Sequence, residues 1–377
     1  MSKPDLLERA LEEHELPGIS AAAFEEGSVS ERVLGDATSD TQYLIGSITK
    51  TFVAAALVSL EVDLHAPLTR FGSPAQLLSH TSGLQRELPG DAWGTLEFPD
   101  REQIVDSLDD AELVLPPGRW HYSNLGYFVL GELIRERSGR PFEDVISERL
   151  LDPLGLRRTT WEPEEPYARG FNRGTPERAV DKRGARASGG LWSTAGDLAR
   201  WGEHLLSYDE LHRPFAHAAW DEAWGLGVAC FRIGGRELWG HEGSSVGYQS
   251  ALLYDREARA GAAVLTNATQ PAGLRDVAAS LVPLVAQSHK LEEPAPPPEV
   301  EGVLGSWWSE GVEHRFRWTG RLETDDAVFV AAGEDRYRTV AGREEGELLS
   351  IVRNGAGEPV ELWWAGYPFR REPGYSY

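Results

Sequence analysis

A helix that is apolar on nearly every side yet carries one charge constrains this chain more than any other stretch. It runs from Gly46 through Ser47, Ile48, Thr49, Lys50, Thr51 and Phe52 into the apolar residues 53–60. Such a pattern belongs inside a core. Burying an ammonium without a partner costs several kcal/mol, so a lysine there either gains hydrogen-bond partners or gives up its proton. A lysine in that second state is a base. Ser47 lies one turn earlier on the same face, at i and i+3, close enough to share a proton with it. Ser47 also stands where the helix begins, where backbone N–H groups lack partners and the dipole favours negative charge. A serine and a lysine three apart arise often by chance, and the pair alone is weak evidence. Context strengthens it: the chain has only Lys3, Lys50, Lys182 and Lys290, and the one in an apolar helix is the one behind Ser47.

The 377 residues, 41% of them hydrophobic, suffice for a large core and more than one domain. A formal charge of -23 argues against nucleic acid or an anionic membrane surface as partner, since both would be repelled. The single cysteine, Cys230, sits in an apolar run and reads as a buried strand residue; it excludes an internal disulfide and fits a reducing compartment. The first residues lack an apolar signal region, and no stretch approaches the ~20 apolar residues of a membrane helix. The expectation is a soluble, cytoplasmic protein.

Residues 5–15 have the spacing of an amphipathic helix, with Leu6, Leu7, Ala10 and Leu11 on one side. Residues 19–24 and 29–34 read as strands of a hairpin turning at Glu25, Glu26, Gly27 and Ser28. From about residue 61 to 221 short helical runs are broken by Gly and Pro, including a helix over 126–136 and another capped by Thr194 with Asp197 three residues on. Strand character returns over 224–233, 237–241, 247–254 and 261–266, and a closing helix over 271–287 completes the region. A Pro-rich linker over 290–299 separates this first domain, 1–289, from a small all-β domain, 300–377, with strands at 349–353 and 360–364 around Asn354 and Gly355. The whole reads as an α+β fold: an antiparallel sheet flanked by helices, a mainly helical region inserted in it, and an appended β domain.

Three motifs line up in order: Ser47-Ile48-Thr49-Lys50, Tyr122-Ser123-Asn124 and His241-Glu242-Gly243. With Ser79-His80-Thr81-Ser82-Gly83-Leu84 and Gly189-Gly190-Leu191-Trp192-Ser193-Thr194, they resemble the serine beta-lactamase and penicillin-binding-protein superfamily, in its class C-like esterase and D-aminopeptidase branch. The resemblance covers residues 18–287 and implies an active site between the sheet and the helical region. On matching positions it implies Ser47 as acylated nucleophile, Lys50 as the group taking its proton, Tyr122 as second acid/base and Asn124 as orienting group. It leaves open which of Lys50 and Tyr122 is the base, and a cationic Lys50 would favour a Tyr122 phenolate. It places the N–H of Ser244 opposite that of Ser47 as an oxyanion hole, reached because Gly243 allows close approach; by itself Gly243 reads as a plain hairpin glycine. The third motif often begins with lysine in this family. His241 in that place removes a permanent charge that helps bind a substrate carboxylate, which weighs against beta-lactam and D-Ala-D-Ala substrates at neutral pH.

The implied activity is that of a serine hydrolase acting through an acyl-enzyme on a small-molecule or peptide substrate, without cofactor. An inactive penicillin-binding-like protein that keeps the pocket is the alternative. Gly243-Ser244-Ser245-Val246-Gly247 also matches the nucleophile-elbow pattern, but the residues after Gly247 read as strand, where the elbow requires a helix. His80 and His121 read as structural groups, and no dense His/Asp cluster suggests a metal. The C-terminal domain resembles the lipocalin-like β domains appended to some of these hydrolases, on position and strand pattern. Its role is either stability or oligomer contact, or, as Trp307, Trp308, Trp318, Trp363 and Trp364 suggest, covering the cleft to limit substrate size. Nothing in the sequence sets the oligomeric state.

Overall fold

The computed structural model describes residues 6–67, 70–178, 180–269, 273–283, 295–309, 312–325, 327–342 and 344–372. The chain divides into two compact units, residues 1–284 and 285–377. Of the expected linker, residues 290–294 lie outside the described residues, as do the ends of the expected closing helix.

The first unit is built on an eight-stranded antiparallel sheet. Its strands are β1 (Gly18–Glu25), β2 (Ser28–Gly35), β3 (Ala216–Ala219), β4 (Glu222–Trp224), β5 (Ala229–Ile233), β6 (Arg236–Ser245), β7 (Tyr248–Asp255) and β8 (Ala260–Thr266), in the order β2-β1-β8-β7-β6-β5-β4-β3. The chain therefore leaves the sheet after β2, builds the whole helical region, and returns at the far edge. Side chains alternate along each strand, so Ile19 and Ala21 of β1 and Ala262 and Val264 of β8 enter one core, while Ala22, Phe24, Ala263 and Leu265 enter another. The first core is closed by α1 (Leu6–Glu13), through Leu7 and Ala10, and by a helix over Leu274–Leu281. Because both faces are covered, β8 reads as a continuous apolar run.

Two sequence readings differ from the structure. Residues 224–233 form two strands, because Gly225 to Val228 bend away at Gly227 (φ +83°), whose added Cβ would fall 2.5 Å from Ala54 of the central helix. The strand expected over 237–241 runs on to Ser245, which puts Gly243 inside a strand, paired with Ser250, and not in a hairpin turn.

Helix α2 (Thr49–Ser59) is buried around its whole circumference over Thr49–Leu57. It packs beside α3 (Asn124–Ser138), which Ser123 caps by accepting from the Gly126 N–H at 3.0 Å, and beside α4 (Ala195–Leu205), which Thr194 caps through the Asp197 N–H at 3.2 Å. Trp201 of α4 stacks on Phe52 at 3.9 Å between ring centroids and donates its indole N–H to Thr51 Oγ1 at 2.7 Å. No described helix is long and apolar enough to cross a membrane.

The second unit is an eight-stranded antiparallel sheet between Gly305 and Phe369, with neighbours in chain order. Its first and last strands meet where Trp308 and Arg370 exchange backbone hydrogen bonds at 2.7 and 3.0 Å, so the sheet nearly closes on itself. The expected hairpin around Asn354 is present, joining Leu348–Arg353 to Pro359–Trp364. Of the aromatics expected to form a covering surface, Trp307 and Trp364 instead fill this unit's own core with Phe316, Phe329 and Phe369.

Trp201 ties α4 to the helix that carries Lys50. Trp201→Ala should lower stability by about 3–5 kcal/mol in urea unfolding, and Trp201→Phe, which keeps the stack and removes one hydrogen bond, by about 1 kcal/mol. Equal losses would mean that the ring contributes little.

Candidate active site

The site begins with two backbones in contact. Tyr43–Leu44 pairs with Trp192–Ser193, and the Ile45 N–H bonds to the Leu191 carbonyl at 3.0 Å. The chain then turns at Gly46 (φ +51°) into a 3₁₀ turn, Gly46–Ile48, that leads into α2. Strand β6 lies directly against this turn. A Cβ at Gly46 would meet the Ser244 nitrogen at 3.0 Å, and one at Gly243 would meet the Ile45 oxygen at 2.0 Å. The absence of both side chains is what brings the Ser244 peptide beside Ser47. Ser250 secures the contact by donating to the Ile45 carbonyl at 2.8 Å.

Lys50 Nζ, fully buried, has three oxygens around it: Asn124 Oδ1 at 2.8 Å, Ser47 Oγ at 3.0 Å and the Ser188 carbonyl. Desolvation, and then the charge of Lys182 with a further push from Arg86, hold its pKa well below the ordinary lysine value against the opposing field of Glu87. A neutral amine has two hydrogens. The carbonyl oxygens of Asn124 and Ser188 can only accept, so they take both, and the nitrogen lone pair is left facing the Ser47 hydroxyl.

Tyr122 Oη lies 2.9 Å from Ser47 Oγ on the other side. Burial raises its pKa well above the usual phenol value, opposed by the Ser47 hydrogen bond and by Arg86, whose guanidinium lies 4.8 Å from the ring centroid. Desolvation thus works against the expectation of a phenolate beside a cationic Lys50, since it disfavours the charged form of both groups. His80 stacks on Tyr122 at 4.1 Å and accepts the Ser123 N–H at 3.1 Å through Nδ1, a supporting part. His121 contributes its backbone N–H to the His80 carbonyl at 2.7 Å.

His241 is buried against Trp224, and above all desolvation pushes its pKa down to about 3. It supplies no charge at neutral pH. Ser245 is buried, and a turn at Val246 and Gly247 leads from it into β7, so the strand-to-helix setting of a nucleophile elbow is absent.

A cavity of about 820 Å³ is lined by Ser47, Tyr122, Asn124, His241, Gly243 and Ser244, with Lys50 behind Ser47. It gathers every residue singled out from the motifs. It also holds residues the sequence reading passed over as site members: Arg86, Trp93 and Lys182 line it, and Glu87 accepts from Asn124 Nδ2 at 2.6 Å and from Trp93 Nε1 at 3.1 Å. Glu87 fixes which end of the Asn124 amide faces Lys50. Only Lys182 gave a signal in advance, as one of so few lysines.

The Beta-lactamase family model matches residues 4–287, and a domain of unknown function (DUF7586) matches residues 296–371. The chain is 33% identical over 204 residues to the D-alanyl-D-alanine-carboxypeptidase/endopeptidase AmpH of Escherichia coli (strain K12), covering 46% of this chain and 51% of that protein. It thus spans about half the length of that relative. A D-stereospecific amidohydrolase from Streptomyces sp. superimposes with a TM-score of 0.63 at 26% identity, covering 71% of this chain and 95% of that one. SurE with D-Leu superimposes with a TM-score of 0.61 at 22% identity over 97% of this chain and 98% of that one, a likeness of fold alone. By its sequence and its fold, the chain belongs to the beta-lactamase family.

Proposed function

We propose that the protein is a serine hydrolase that cleaves an ester, amide or peptide bond through an acyl-enzyme on Ser47. The observation that carries this reading is the set of oxygens around Lys50 Nζ, which leaves a neutral amine one vacant direction, toward Ser47 Oγ. In the proposed reaction Ser47 Oγ attacks the carbonyl carbon while Lys50 takes its proton. The oxyanion is met by the N–H groups of Ser47 and Ser244, each such donor being worth about 3–4 kcal/mol in the transition state. Tyr122, still a phenol, protonates the leaving group and regains a proton from Lys50. Water then enters where the leaving group was, and the same transfers run in reverse to free the acid.

The relatives support a first choice of substrates. One is named as a D-alanyl-D-alanine carboxypeptidase/endopeptidase and one as a D-stereospecific amidohydrolase, so amides of D-residues stand beside simple esters as the class to screen. Neutral His241 argues that this enzyme does not hold a carboxylate through its third motif.

Ser47→Ala should abolish hydrolysis of 4-nitrophenyl esters and Ser245→Ala should retain it; the opposite pattern would move the nucleophile to Ser245. A fluorophosphonate should add once, at Ser47, by intact mass, whereas a protein that only binds ligands stays unlabelled. Lys50→Arg puts an always-protonated guanidinium where a proton acceptor is needed, and it and Tyr122→Phe should each lose about 10²- to 10⁴-fold in kcat/KM. Because Lys50 must be unprotonated and Tyr122 protonated, kcat/KM should fall toward acid as Lys50 gains its proton, with that limb lying well below an ordinary lysine value. An acid limb near an ordinary lysine value of ~10.4 would show that burial does not depress Lys50, and the absence of any acid limb would show that no group has to lose a proton before attack.

A further inference from the structure

A charge of the kind His241 lacks stands on another element. Lys182 precedes the short helical turn Arg183–Ser188 and is only 3% exposed, yet it lines the cavity that holds Ser47. A Cβ added at Gly189 would sit 2.7 Å from Lys182 Nζ and 3.1 Å from the Gly46 carbonyl carbon, so a single glycine separates the ammonium from the peptide preceding the nucleophile. The ammonium makes a cation–π contact, with Nζ 4.9 Å from the Trp93 ring centroid. Among the described residues no carboxylate or carbonyl accepts from it. Arg86, on the same cavity, is likewise without an ion pair among the described residues and rests on the Tyr122 ring. The nearby acid, Glu87, is engaged by Asn124 and Trp93. By contrast, Arg275, the cation that the helix Leu274–Leu281 presents to the cavity, is paired with Glu222 and Glu242.

A buried cation without a partner is expensive, and a cavity that keeps one in place is complementary to an anion. We propose that Lys182, assisted by Arg86, forms an anion subsite for a carboxylate carried on the acyl portion of the substrate, beside the Asn124 wall of the cleft. This rests on the hydrolase reading above. The leaving group has to remain by Tyr122, which protonates it, and around Tyr122 stand Trp120 and Trp224 with their apolar faces. The acyl portion is what remains to run past Asn124 and Trp93 toward Lys182. Burial, with Arg86 assisting and Glu87 opposing, lowers the Lys182 pKa to about 8, so it is cationic at neutral pH and loses its charge above that value.

The test compares mono-4-nitrophenyl esters of adipic and pimelic acid, each with a free carboxylate, against their methyl-capped twins at pH 7. The wild-type enzyme should favour the free acid by about tenfold or more in kcat/KM, as expected for a charge-assisted hydrogen bond. Lys182→Met should bring that ratio close to unity, and Lys182→Arg should restore most of it and keep it above pH 8. The ratio is the readout because Lys50 serves both esters alike, so a merely structural role for Lys182 would lower both rates and leave the ratio where it was. Equal rates on the two wild-type substrates, or an unchanged ratio in Lys182→Met, overturns the subsite. Calorimetric binding of adipic acid monoanilide to Ser47→Ala, against its methyl ester, separates the two readings. Selective binding that vanishes in the Ser47→Ala, Lys182→Met double variant upholds the subsite even if the wild type hydrolyses nothing, and absence of selectivity overturns it even if hydrolysis is brisk.

Discussion

One nitrogen atom organises the first unit. Lys50 Nζ receives a carbonyl from the loop at Ser188, an amide oxygen from the start of α3 at Asn124 and a hydroxyl from the turn at Ser47. Three segments far apart in sequence must be placed correctly for that atom to be satisfied. Removing an amine from water is costly while it is charged and unpartnered, so the packing that buries α2 and the chemistry at its first turn are one arrangement. The same desolvation acts on Tyr122 and His241, moving the pKa of an acid up and of a base down, and disfavours the charged form of all three.

The sequence made this core visible because its signals are local. Residues 47–60 combine apolar composition with a lone charge, the hairpin of β1 and β2 has its turn residues in place, and the cap at Thr194 and the turn at Asn354 sit where the structure uses them. Less legible were features that depend on distant partners. The break at Gly227 exists because Ala54 occupies the adjoining space, and the extension of β6 to Ser245 exists because β7 pairs with it, facts that no window of neighbouring residues contains. Glu87 and Lys182 escaped for the same reason. Each lies in a polar loop that looks solvated, and only the fold turns it inward. In the second unit the aromatic residues were visible but their direction was not, since strand alternation leaves open which face is the inner one.

The molecule is acidic as a whole, with a formal charge of -23, yet Arg86 and Lys182 face the cleft. These facts act over different ranges. At physiological salt the field of exposed charges fades within about 8 Å, whereas a buried ammonium is screened far less. Global charge therefore governs solubility and distant encounters, and the two cations govern what happens at contact.

The near-closure of the second sheet through Trp308 and Arg370 has a consequence for how that unit can meet other molecules. Recognition by strand augmentation requires a row of idle amides and carbonyls along a sheet margin, and the Trp308–Arg370 bridge takes up part of that row. For a ligand or protein gripped there, the module's loops and the side chains on its outer wall are the larger free surface.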